Sequence, residues 1–148
     1  MCHQNDSSSS PAAQVRDNVG GFYGGGLTNE GNLTMINCAV HGNRMPGMIN
    51  RPASMSAGEG GGIRSSRGRG LGMPTTTLIN SRVYNNSAGD GGGIVVIDSG
   101  ITLINSTVFN NTANGDADSS TVENDDGGQG GGILHNCQMA CRECLPRR

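Results

Sequence analysis

With 148 residues, 26 of them Gly, no Trp and 33% hydrophobic content, the chain is poorly stocked for a compact globular core. Its net charge is −2, all ten Lys+Arg positions are Arg, and no basic tract stands out beyond Arg64, Arg67 and Arg69, which argues against nucleic acid as a partner. That trio reads as a solvated loop, with an anion-binding patch as the sharper alternative.

Residues 1–18, MCHQNDSSSSPAAQVRDN, are polar and of low complexity and are expected to be a disordered leader. They hold no apolar run, so they are neither a signal peptide nor a membrane span. Cys2 lacks the preceding apolar segment of a lipoprotein signal, and an export signal would lie upstream.

From residue 19 to 134 the chain repeats itself. Residues 34–43, 77–86 and 102–111 read TMINCAVHGN, TLINSRVYNN and TLINSTVFNN. Four glycine triplets, each followed by Leu or Ile, begin at Gly24, Gly60, Gly91 and Gly130. An internal repeat dictates architecture before any other feature. Thr77 and Thr102 are 25 residues apart, while Thr34 and Thr77 are 43 apart. The longer interval carries about 18 extra residues if the repeats share one length. Insertion loops are expected at 44–59, 64–74 and 114–129, where Pro, Gly, Arg, Ser or Asp accumulate.

The motifs favour strands. Thr, Ile, Val, Tyr and Phe fit a pleated surface, and glycines interrupt every window long enough for a helix. Ile101, Leu103 and Asn105 alternate onto one face, with Ile101 and Leu103 expected to point inward beside Val108. The steps of three from Asn105 to Val108 and from Val108 to Asn111 mark two corners, so about 25 residues would hold three short strands. Stacked repeats would then form columns. One contains Ile36, Ile79 and Ile104; another contains Val40, Val83 and Val108. Two asparagine columns, Asn37–Asn80–Asn105 and Asn43–Asn86–Asn111, would sit at corners, because Asn tolerates the left-handed region and stacked amides can bond along a column.

Gly91-Gly92-Gly93-Ile94 and Val108-Phe109-Asn110-Asn111, with their copies, resemble the repeats of right-handed parallel β-helix proteins of the pectin-lyase-like kind. They are most similar to repeats of polymorphic outer-membrane proteins and autotransporter passengers. The resemblance covers roughly 19–134. It departs in having Gly where the family usually has Ala in the opening motif, and Val where it often has Phe. It implies an all-β solenoid of three to four turns and a role at the cell surface. Neither end shows a capping helix, so a fragment of a longer solenoid or a truncated gene product, prone to end-to-end self-association, is expected.

The tail, 135–148, is rich in Cys. His135, Cys137, Cys141 and Cys144 are the candidate metal ligands, able in principle to complete a zinc tetrahedron. The C-x3-C-x2-C spacing also resembles the iron–sulfur motif of radical-SAM enzymes, but those enzymes have a large barrel after it, and four residues follow Cys144. Unpaired or disulfide-linked tail cysteines are the plainer alternative. The acidic stretch 116–126 offers carboxylates to calcium but lacks the Gly and closing Glu of an EF-hand, so a solvated loop is preferred. No cofactor is expected.

Cys38 takes the place of Ser81 and Ser106 and reads as a small corner residue. His41 aligns with Tyr84 and Phe109 and reads as a stacking position rather than a base. Asp90 and Asp98, the candidates for carboxylate catalysis, have no aligned partner in another repeat, and Asp90 suits a turn. Asn-x-Ser/Thr triplets begin at Asn5, Asn32, Asn85, Asn105 and Asn110 and are taken as incidental in so Asn-rich a chain.

The expectation is a structural or adhesive segment of an extracellular or cell-surface protein, facing a host-surface or glycan ligand, with no cleavage of pectin, pectate or similar acidic glycans. A carbohydrate-active β-helix enzyme, marked by carboxylates aligned on one strand face, is the alternative. A metal-binding protein using the tail is the third class.

Overall fold

The computed structural model describes residues 13–21, 23–46, 58–68, 72–115 and 130–136. Within them the chain is all-β. The strands, in order, are β1 (Ala13–Arg16), β2 (Leu27–Asn29), β3 (Asn32–Ile36), β4 (Cys38–His41), β5 (Ile63–Ser66), β6 (Thr75–Ile79), β7 (Arg82–Tyr84), β8 (Ser87–Ala88), β9 (Ile94–Ile97), β10 (Gly100–Ile104), β11 (Thr107–Phe109), β12 (Thr112–Ala113) and β13 (Ile133–Asn136). They are short because the corners recur. Asn37, Asn80, Asn105 and Asp98 all hold left-handed backbone, with φ between 45 and 55°, which ends a strand at each.

Every pairing between these strands is parallel. The sheets run β1-β4-β7-β11, β10-β6-β3, β12-β8 and β13-β9-β5-β2. The chain therefore visits the sheets in the same sequence on each pass and lays each new strand beside its counterpart from the pass before. Thr77–Thr102 and Thr34–Thr77 are register partners, as are Ile36, Ile79 and Ile104. Val15, Val40, Val83 and Val108 form one continuous column.

The core lies between three of the sheets. Val40 and Val83 come from the first, Met35 and Leu78 from the second, and Ile63, Ile94 and Val96 from the fourth. Val15, Leu27, Leu33, Ile101 and Val108 pack against this cluster while half-buried. Each fully covered aliphatic side chain is worth about 1.5–3 kcal/mol, so the central passes carry most of the stability. Leu103 lies in register with Leu78, but it belongs to β10, the outermost strand of its sheet, and remains exposed. Ile36 and Ile79 are half-buried and Ile104 exposed, on the alternate positions of their strands.

Several sequence boundaries shift. The expected disordered leader at 1–18 contains β1, whose Val15 joins the valine column. Its alternation of half-buried and exposed residues is the period of a strand covered on one side. Ile63–Ser66 is a strand, so the loop expected at 64–74 starts inside a paired segment. Within the stretches 44–59 and 114–129, Arg44 and Glu59 make single parallel bridges, and the amides of Asn114 and Gly115 bond back to Ala88 and Gly89. His135 and Asn136 belong to β13 rather than to a separate tail. One 25-residue interval holds four paired segments, not three, because the short β8 and β12 add a side.

Candidate functional site

The most organised surface of the molecule is the corner at the end of the first sheet. Asp17, Gly42, Asn85 and Asn110 hold left-handed φ of 57, 66, 53 and 51°, each just before an asparagine. Those asparagines form a ladder. Asn18 donates through its backbone N–H and Nδ2 to Asn43 Oδ1, at 3.2 and 2.9 Å. Asn43 donates in the same way to Asn86 Oδ1, at 3.0 and 2.9 Å. Asn86 repeats it toward Asn111 Oδ1, at 3.0 and 2.9 Å. The second hydrogen of each Nδ2 goes to a valine carbonyl: Asn43 to Val15, Asn86 to Val40 and Asn111 to Val83. Asn43 and Asn86 are buried, and full bonding is what makes such burial tolerable. Asn18 went unread as a ladder member, although its 25-residue separation from Asn43 was a visible signal.

The glycine triplets serve this ladder. A Cβ on Gly62 would lie 2.6 Å from the Gly93 carbonyl and 2.9 Å from Asn86 Nδ2. Gly26 would meet the Gly62 carbonyl at 2.6 Å and Asn43 Nδ2 at 2.8 Å. At Gly26, Gly62 and Gly93 the third triplet position is Gly rather than Ala because the amide of the ladder and the next backbone fill the space.

The Asn37, Asn80 and Asn105 column is different. Its recurring feature is the backbone, with the amides of Asn37 and Asn80 donating to the Ile79 and Ile104 carbonyls. Asn80 and Asn105 are exposed, so Asn105 is not shielded inside a column. Beside it runs a small-residue ladder. The Cys38 amide donates to Ser81 Oγ at 3.1 Å, and the Ser81 amide to Ser106 Oγ at 3.0 Å. The Cys38 thiol is buried and directed at the Ile36 carbonyl.

On the outer face of the same sheet, His41, Tyr84 and Phe109 stack. Ring centroids are 4.7 and 5.1 Å apart, with interplanar angles of 8 and 9°. His41 Nε2 lies 3.3 Å from Gln14 Oε1, and Arg16 is in register with His41. Phe109 is the last ring of the stack among the described residues and is exposed. Such a column can offer an amphipathic platform to a partner.

A second cluster gathers charged groups. Tyr23, Glu59 and Asp90 are consecutive in a line of parallel bridges. Arg64 Nε donates to Glu59 Oε2 at 3.1 Å, both side chains are 14% exposed, and the guanidinium lies 4.2 Å from the Tyr23 ring centroid. Arg64 also donates to Ser66 Oγ. Asp90 therefore does have an acidic neighbour in the adjacent pass. Glu59 went unread although the signal was visible: it and Asp90 each stand immediately before an aligned glycine triplet, GEGGGI and GDGGGI. Asp98 sits at the turn between β9 and β10, its amide donating to the Asn136 carbonyl at 3.1 Å.

His135 is exposed on β13, in register with Val96. Cys137, Cys141, Cys144 and the acidic stretch 116–126 lie outside the described residues, among which no group of three or more His, Cys, Asp or Glu is placed to hold a metal. No described helix is long and apolar enough to cross a membrane. Comparison with known proteins finds no matching family model, no matching curated protein and no matching solved structure.

Proposed function

We propose that the chain is a right-handed parallel β-helix segment, related in style to pectin-lyase-like and autotransporter passenger repeats, that serves as a structural or adhesive element of an extracellular or cell-surface protein. The observation that carries this is the direction in which the polar and aromatic side chains are spent. The Asn43–Asn86–Asn111 amides, the Cys38–Ser81–Ser106 corner and the His41–Tyr84–Phe109 stack all bond along the pass-to-pass axis. Side chains used this way build a rod with a repeating face. Right-handedness follows from the strong bias of parallel crossover connections. The outer face, with Gln14, Arg16, Arg82 and the exposed edge of the aromatic stack, suits a host-surface or glycan ligand.

The expected result is retention of the purified chain on a panel of immobilised neutral and acidic glycans, with no release of reducing ends or unsaturated products. Glu59 and Asp90, side by side in adjacent passes, favour one second reading, a carbohydrate-active enzyme on the same frame. Product release from pectate or a similar glycan, abolished by Glu59→Gln or Asp90→Asn, would replace the adhesive proposal with that one.

A further inference from the structure

We infer that the chain stacks head to tail on a second copy of itself, with β1 of one copy laid on β11 of the next. The asparagine ladder has a direction. Asn18, Asn43 and Asn86 each donate from the backbone N–H and from Nδ2 to the Oδ1 of the following asparagine. Asn111 carries the same two donors, but its only described donation is from Nδ2 to the Val83 carbonyl. At the opposite end, Asn18 presents an Oδ1 to which no described residue donates, and it is exposed. One end of the ladder thus offers the donors and the other the acceptor of the same joint.

The neighbouring columns agree on the register. Continuing the sheet β1-β4-β7-β11 by one strand from a second copy sets its Val15 on Val108, extending the valine column. It sets its Arg16 over the outward ring face of Phe109, which is 43% exposed. The sheet β13-β9-β5-β2 also has four strands, so the same translation brings Leu27 of the second copy onto Ile133, which is 38% exposed. The β10-β6-β3 sheet has three described strands and stops one spacing short of the joint. A contact between unlike ends does not close on itself, so the product is an open filament rising about 19 Å per copy, four strand spacings.

The inference rests on the coil reading for one step, that the two four-stranded sheets advance together. Its test does not involve glycans and can fail alone. Sedimentation velocity of the full chain under reducing conditions, over a rising concentration series, should show growing oligomers. Phe109→Lys places a lysine against Arg16 of the next copy, and Arg16→Glu removes the cation. Each should lower the association constant about tenfold or more while the far-UV spectrum stays as in the parent; Arg16→Glu should also keep the parent's melting midpoint, whereas Phe109→Lys lowers it slightly by losing the stack on Tyr84. The double variant, Phe109→Lys with Arg16→Glu, restores opposite charges across the joint and should associate again. A parent chain that stays monomeric overturns the inference, as do single variants that associate like the parent. Failure of the double variant to recover overturns it too, because a symmetric joint would pair Phe109 with Phe109 and gain nothing from Arg16→Glu.

Discussion

Residues 77–86 and 102–111 are near copies, TLINSRVYNN and TLINSTVFNN, and they form the same pair of strands. Their environments differ sharply. Leu78 is 1% exposed and Leu103 is 38%; Val83 is fully covered and Val108 half-buried. The first copy has a strand on each side, whereas β10 and β11 are outermost in their sheets among the described residues. In a stacked array a residue's burial is set by how many passes flank it, and the local sequence decides only which face it occupies. The same substitution should therefore have two different costs in the two copies.

The largest difference is expected in the ladder. Asn86→Leu deprives the buried Asn43 of the acceptor for two donors and removes the side-chain donation to the Val40 carbonyl. Orphaned buried groups cost about 1–3 kcal/mol each, so a loss of about 3–5 kcal/mol is expected. Asn111→Leu also removes the acceptor of two donors, on Asn86, but Asn111 is itself half-buried, where water can take its place, so it should cost about 1–2 kcal/mol. Urea titrations of both variants measure this, and equal midpoints would break the comparison.

Cavity formation comes next. Leu78→Ala should lose about 2–4 kcal/mol and Leu103→Ala about 1 kcal/mol or less, since water and neighbouring chains can reach the second site. The titration belongs at low protein concentration, where association adds nothing to the measured stability.

Glycine offers a matched pair as well. Gly62 and Gly132 occupy the same third place in their triplets, but a Cβ on Gly132 meets nothing within 4 Å. Gly62→Ala should cost about 1–3 kcal/mol by overpacking, and Gly132→Ala should stay within about half a kcal/mol. The smallest contrast is aromatic. Tyr84 is stacked on both faces and Phe109 on one. Tyr84→Leu should lose about 1–2 kcal/mol and Phe109→Leu about half that, readable as a difference in thermal midpoint.

Much of the parallel pairing was legible because three decapeptides align without a gap: Thr34, Thr77 and Thr102 share a register because their flanking residues are the same chemistry. What stayed hidden has physical causes. Ala13–Arg16 lacks the Thr-Ile-Asn signature, and only Val15 and the Asp17-Asn18 pair mark its place in the pass. Glu59 lies outside the three aligned decapeptides, and its place beside Asp90 is carried instead by the glycine triplets that each residue precedes. Leu103 reads inward from alternation, but alternation carries no information about whether another strand lies above it. The Gly-for-Ala departure in the triplets looked like divergence, and the Asn86 and Asn43 amides explain it.

The central claim is that like positions of successive passes lie side by side in parallel. Methyl and amide contacts in solution by nuclear magnetic resonance test it most directly, on uniformly isotope-labelled chain at low concentration. The account predicts that Val83 contacts both Val40 and Val108, and that residues 75–79 meet residues 100–104 in ascending order, Thr75 with Gly100 through Ile79 with Ile104. Contacts in descending order, as in a hairpin, or a Val83 that touches neither valine, would contradict it.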